Sequence, residues 1–430
     1  MTAPAPRVDR DFALLFLSMM TIAAGNTALQ SVMPGIGRRL GLPDTAIAVA
    51  FSVSALLWVV AAPFWAKRSD RHGRRRMVLL GLIGFALSSI FCALALSAGL
   101  AGWIGGTATL AAFVGARLIY GGFGAATPPA AQAMVAERTG PEARTRALSL
   151  LASAFGLGTI IGPALAPLFV LPLVGLAGPA YAFSLVAVVV VLTVGFGLSR
   201  EASSGSARGS GAVTSYPTIG GQQTGASVVA ATAPGRAAVA WTDRRILPWM
   251  IVGLTMGHAQ AMIGQSIGFL IIDRLALPAE AAQGSIGIVL MVGAGAALLA
   301  QWGLIPLLDL RPRGLVLWGA VLAAAGALAI ALVDGLHALA LSYALASIGF
   351  GFLRPGFTAG ASLAVGAEAQ GSVAGRTTAI NGAAFVLGPA IGVGLYELWR
   401  PLPYLVATAA LVLVIGYALA QIKVPSSPAA

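Results

Sequence analysis

The chain has 430 residues, of which 58% are hydrophobic and only 9% charged, with a mean hydropathy of +0.89 and a net charge of +12. So much apolar sequence has nowhere to hide in a water-soluble domain, and the chain reads as an all-α integral membrane protein. The cations sit in short loops between apolar runs, which argues for the positive-inside rule and against a nucleic-acid partner.

The run beginning at Phe12 superficially resembles a signal peptide, but it continues to about Met33 without a convincing cleavage region. It is expected to be a retained first span. At about 20 apolar residues per crossing, spans are expected near 12–33, 46–66, 77–98, 108–137, 147–171 and 179–198. A second group is expected near 246–272, 283–308, 313–333, 336–366, 375–396 and 402–421. The Gly- and Pro-rich fourth, fifth and tenth helices are expected to be bent or broken. Residues 199–245, rich in Ser, Gly, Ala and Thr, lack a sustained apolar period and read as a flexible cytoplasmic linker between six-helix bundles at 1–198 and 246–430. The only cysteine, Cys92, lies inside an apolar run, so neither a disulfide framework nor a Cys-based metal site is expected.

Charge sets the orientation. Ala66 to Arg76 carries six cationic side chains in eleven positions. With both termini in the cytoplasm, about twenty of the 26 Lys and Arg residues face the cytoplasm. Arg38, Arg39, Arg274 and Arg400 fall outside, and Arg117 and Arg354 lie within spans.

The two halves repeat one another. Asp70 with Arg74 matches Asp309 with Arg313; Gly122-Phe123-Gly124 followed by Pro128 matches Gly349-Phe350-Gly351 followed by Pro355; Gly162-Pro163-Ala164 matches Gly388-Pro389-Ala390. A parallel duplication of six helices implies two pseudo-symmetric bundles around a central cavity.

These residues resemble the major facilitator superfamily, and are most similar to its twelve-helix drug/proton antiporters, which include tetracycline exporters. Asp70-Arg71-His72-Gly73-Arg74-Arg75 fits the family's loop motif after the second helix, with Ala66 where glycine is usual and Arg68 where leucine is usual. Arg117 to Ala126 is similar to its Arg- and Gly-rich motif on the fourth helix. Gly158 to Pro163 looks like the antiporter motif of the fifth, with Ala166-Pro167 replacing its closing Gly-Gly. The resemblance implies a proton-coupling role for Arg117, and leak prevention or rocking at the glycines of the fifth helix.

The residues themselves leave two readings at most positions. Asp70, Arg71, Gly73 and Arg74 either control conformation, with the arginines bridging to Glu137, or anchor topology on anionic headgroups. Arg117 and Arg354, where a mid-membrane cation costs about 2.5–3.5 kcal/mol, either face a cavity or are satisfied by backbone carbonyls. His258, with Gln260 and Gln265 near it, is either proton-linked or a hydrogen-bonded packing residue. Asn26 and Gln30 share a helix face, and they and Asn381 either contact a ligand or bond between helices. Gly158, Gly162 and Pro163 need only packing to explain them. No catalytic triad, metal cluster or phosphate loop stands out, so neither an enzyme nor a bound cofactor is expected.

The expected function is proton-coupled export of a small amphipathic compound by alternating access. Its partners are the small-molecule substrate, protons and membrane lipids, and its form a monomer in the inner membrane. Uptake of a metabolite, uncoupled facilitation, a polytopic receptor and a membrane enzyme remain as alternatives.

Overall fold

The computed structural model describes residues 10–199, 219 and 238–422. The expected spans form as helices because hydrocarbon offers no partner for backbone N–H and C=O groups, which a helix satisfies internally. In the first half these are α1 (Arg10–Arg39), α2 (Asp44–His72), α3 (Arg74–Leu100), α4 (Gly106–Phe123 continuing through Gly124–Ala126 and Thr127–Arg138), α5 (Pro141–Leu165) and α6 (Gly178–Gly197). The second half comprises α7 (Leu247–Leu275), α8 (Ala279–Leu298 continuing to Leu308), α9 (Pro312–Leu332), α10 (Leu336–Leu363), α11 (Gln370–Leu398) and α12 (Leu402–Gln421). Eleven of these rods are long and apolar enough to cross a membrane. The remaining one, α7, has 29 residues and is diluted by His258, Gln260 and Gln265 at its middle.

The irregularities follow from proline, which cannot donate the intrahelical hydrogen bond. In α4 a 3-10 turn at Gly124–Ala126 precedes Pro128 and Pro129, and α5 ends in a 3-10 turn at Ala166–Phe169 containing Pro167. The tenth helix, expected to be bent or broken, is one helical segment from Leu336 to Leu363 despite Pro355. The break falls instead in α8, where a π segment at Leu299–Leu304 leads into a short helical turn containing Pro306.

Small residues let the rods meet backbone to backbone. A Cβ on Gly158 or Gly162 of α5 would collide with the Met20 or Ala24 carbonyl of α1. The second half repeats the contact: a Cβ on Gly388 or Gly392 of α11 would press on Ala261 or Met262 of α7 at 2.5 Å. The hydroxyls of Thr27, Ser266 and Thr378 donate to carbonyls four residues back, so they carry no unsatisfied donor into the apolar interior. Large apolar side chains such as Phe196, Leu341 and Leu413 point outward, as a lipid-facing surface requires.

The face holding Arg10 and Gln421 is called here the terminal face. One apolar cluster takes in the second half from end to end and, at the opposite face, joins Ile267, Leu270 and Ile286 to Val32, Met33, Ile36 and Ile47 of the first half. A second, including Leu15, Met19, Met134 and Leu148, is built from first-half residues toward the terminal face, with Val386 of α11 packed against it. The halves are thus welded at one face. Most of the expected linker lies outside the described residues; Ile219 and Val239 within it are buried.

Gly162→Leu is expected to lower the thermal midpoint of the detergent-purified protein, because overpacking of this kind costs about 1–3 kcal/mol or more. Gly115→Ala, where an added Cβ meets nothing within 4 Å, should leave the midpoint unchanged.

Candidate functional site

Arg354 of α10 is buried at 4% exposure. Its Nη1 donates to Asn381 Oδ1 of α11 at 3.2 Å and its Nη2 to Gln260 Oε1 of α7, while its guanidinium carbon lies 5.7 Å from the Phe385 ring centroid. Both amide partners are neutral, so they orient the cation without cancelling its charge. The side chain opens onto a cavity lined by both halves. Thr159, Ile160 and Pro163 of α5 form one wall; Gln260 and Ile263 of α7, Leu290 and Gln301 of α8, and Tyr343 and Phe350 of α10 form the others, and Ile219 enters it too. An apolar container with a few convergent polar groups is the usual form of a small-molecule site.

Of the residues singled out from sequence, the structure brings Arg354, Gln260 and Asn381 into one cluster and adds Pro163 and Gln30 around the same space. Gln30 of α1 accepts the Ile219 backbone N–H on its Oε1 at 3.1 Å. Asn26, one turn earlier, is buried on the same helix, and Gln265 is buried on α7. His258 stands apart: its Nδ1 lies 2.8 Å from Leu254 O on its own helix.

Arg117 is also buried, but inside the first bundle. Its guanidinium carbon lies 4.8 Å from the Phe51 ring centroid of α2 and 4.6 Å from that of Tyr120. Two aromatic faces stabilise such a cation by roughly 0.5–2 kcal/mol each, more when desolvated. Arg117 and Arg354 therefore solve the same burial problem differently, one with rings and one mainly with amides.

At the terminal face, Arg74 Nη2 lies 2.5 Å from Glu137 Oε1 of α4 and 3.7 Å from Asp70 Oδ1, and Arg74 is buried. The bridge to Glu137 expected from sequence is present. Gly73 separates α2 from α3 with φ of +90°, a conformation that L side chains rarely adopt, and this sharp turn sets Arg74 against Glu137. Arg75 Nη2 caps the α6 end at Gly195 O, whereas Arg71 is exposed and takes no part. Asp11 receives Arg138 and the Ser199 backbone N–H, tying both ends of the first half together. In the second half the matching Arg313 donates to Leu419 O at 3.3 Å, and Asp309 is exposed.

Sequence reasoning missed the opposite face. Arg38 of α1 binds Asp44 Oδ2 of α2 at 2.8 Å and Asp273 Oδ1 of α7 at 2.5 Å. Asp273 also accepts Tyr396 Oη at 2.5 Å and lies 3.2 Å from Arg400 Nε. Arg39 pairs with Glu280, and Thr45 bonds Glu397 through both its backbone N–H and its hydroxyl. Gln283 Nε2 donates to Ser31 Oγ at 3.4 Å beneath them. The Arg38–Asp273, Arg39–Glu280, Thr45–Glu397 and Ser31–Gln283 contacts all cross between the halves. The signal was available: the four cations that break the positive-inside pattern, Arg38, Arg39, Arg274 and Arg400, each meet an acid on that face, Arg274 pairing with Asp334.

A sequence model of the Major Facilitator Superfamily matches residues 15–389. The chain is 32% identical over 152 residues to the multidrug efflux pump LfrA of Mycolicibacterium smegmatis, covering 35% of this chain and 28% of that protein. Over 115 residues it is 37% identical to the class B tetracycline resistance protein of Escherichia coli, covering 27% of this chain and 25% of that one. The aligned stretches thus span only between a quarter and a third of these relatives' lengths. Among solved structures, the human organic anion transporter MFSD10 (TETRAN) superposes with a TM-score of 0.61 at 18% identity, over 96% of this chain and 100% of that chain. A POT family transporter in complex with 5-aminolevulinic acid superposes at 0.67 with 14% identity, over 97% of each chain. At these identities the likeness concerns the fold.

Asp273→Asn removes the charge that Arg38 meets across the halves. In a Cys92→Ser background, Ser31→Cys should then react on the order of tenfold faster with a membrane-impermeant maleimide applied to the Arg38 face, equivalent to about 1.4 kcal/mol of lost closure. An unchanged labelling rate would mean that packing alone holds that face shut.

Proposed function

Because this chain belongs to the Major Facilitator Superfamily, we propose that it is a secondary exporter carrying small amphipathic compounds out across the inner membrane in exchange for protons. That it is a multi-pass membrane transporter of small molecules follows from the family; direction, coupling and cargo are the proposal. The observation that carries it is the cavity at Arg354, enclosed between two halves that are tied together at one face by Arg38–Asp273, Arg39–Glu280 and Thr45–Glu397.

We place the terminal face in the cytoplasm, since about twenty of the 26 Lys and Arg residues lie on that side. The structure is then an inward-facing state, sealed toward the outside. Opening outward requires the cross-half pairs to separate while the halves close over the cytoplasmic end, the rocking motion of alternating access. The Asp70–Arg74–Glu137 cluster stiffens the first half where that closure happens. Cargo enters between α5 and the α7, α8 and α10 wall, with Arg354 attracting an anionic or strongly polar group and Gln260, Asn381 and Gln30 supplying hydrogen bonds. Similarity to multidrug and tetracycline resistance proteins supports the export direction. A functional monomer suffices, because the cavity is complete within one chain.

The test is flux in proteoliposomes against a compound panel including tetracycline, with and without an imposed pH gradient. Gradient-dependent efflux is expected for the unaltered protein, with Arg354→Gln reducing it at least tenfold. Asp70→Asn should cut transport while leaving membrane insertion intact, and normal transport by that variant would sink the conformational role of the cluster. Flux indifferent to the gradient would replace proton exchange with uncoupled facilitation.

A further inference from the structure

Residues 199–245 contain a single isoleucine, Ile219, and no Leu, Met or Phe. That isoleucine is 8% exposed and lies in the central cavity rather than at the surface. Its backbone N–H donates to Gln30 Oε1 of α1 at 3.1 Å. On the other side, a Cβ placed on Gly264 of α7 would lie 3.1 Å from the Ile219 carbonyl oxygen, so that carbonyl rests on the α7 backbone. Ile219 is therefore clasped by both halves, and it shares the cavity wall with Ile160, Ile263 and Arg354.

The reach is sufficient. Gln30 lies twenty residues along α1 from Arg10, about 30 Å at 1.5 Å per residue. Twenty positions separate Ser199 from Ile219 and nineteen separate Ile219 from Ala238, up to ~65 Å of chain on either side. Neither arm needs to be stretched.

Resting on the transport reading above, we infer that Ile219 is a tethered occupant of the cargo site, and that the site takes amide-bearing compounds with a branched aliphatic group, short apolar peptides among them. The occupant shows what the site recognises: an amide N–H held by Gln30, a carbonyl laid against Gly264, and an aliphatic side chain of isoleucine size between α5 and α7. Cargo of that chemistry displaces Ile219 before the halves rock. Tethering gives the occupant an effective concentration of the order of millimolar, so weak contacts suffice to hold it in an idle transporter.

The test uses the full chain in proteoliposomes and involves no transported compound, so it stands or falls separately from the flux assay. With Cys92→Ser, the pair Ile219→Cys and Ile263→Cys is treated with a short bismaleimide and the joined peptides are quantified by mass spectrometry. Most of the protein should be joined, and Gln30→Leu should reduce the yield severalfold. In a second measurement, a fluorescent acetylated peptide matching residues 215–221 should bind the Ile219→Asp chain at least tenfold more tightly than the unaltered chain. Methylating the peptide's isoleucine nitrogen should abolish that difference. An absent crosslink with position 219 freely labelled overturns the inference, as does equal peptide binding to both chains.

Discussion

The contact on which this arrangement depends is a guanidinium of one half held against a carboxylate of the other. Arg38 reaches Asp273 while keeping Asp44, and Asp273 is in turn gripped by Tyr396 and Arg400. Charged groups in partial burial are costly unless paired, so a face built from two arginines, two aspartates and the Tyr396 hydroxyl has a well-defined closed geometry and a poor half-open one. Ile36 and Ile47 of the first half and Ile267 and Ile286 of the second are buried in one apolar cluster. The cavity is closed toward this face because the face is shut.

The two faces use charge differently. At the opposite face Arg38–Asp273 and Arg39–Glu280 cross between the halves, beside pairs such as Arg38–Asp44 and Arg274–Asp334 that do not, whereas at the terminal face Arg74 with Glu137 and Asp11 with Arg138 stay within the first half. At the matching turn near Asp309, Arg313 meets no acid among the described residues and donates instead to the helix-end carbonyl of Leu419. Among the described residues, the Arg74–Glu137 brace of the first half therefore has no equivalent at the matching turn.

Much of this was legible in the sequence because hydrocarbon penalises exceptions heavily. Apolar runs marked the spans, and the Arg74–Glu137 bridge followed from a basic turn lying level with the end of α4. The cross-half pairs were not legible, since Arg38 and Asp273 are 235 positions apart and Thr45 and Glu397 are 352 apart, and only the closed three-dimensional arrangement brings them together. Asn381 and Gln260 looked like separate polar residues until α10 placed Arg354 between them. His258, a titratable side chain at mid-span, lies apart from this cluster with its ring nitrogen against Leu254 O of its own helix. The matching Gly-Phe-Gly and proline positions differ in outcome: α10 runs unbroken through Pro355, whereas α4 tightens into a 3-10 turn before Pro128 and Pro129.

The π segment of α8 has a consequence for what that helix shows to its surroundings. A π turn accommodates one residue more than an α turn, and a one-residue insertion offsets everything beyond it by about 100° around the axis. Leu307 and Leu308 lie just past Leu299–Leu304 and face outward. Gln301, within the segment, faces the cavity instead. The same rod thus presents an amide to the interior and leucines to lipid within two turns. Shifting the wide turn along α8 would turn that end of the helix about its own axis without unravelling it.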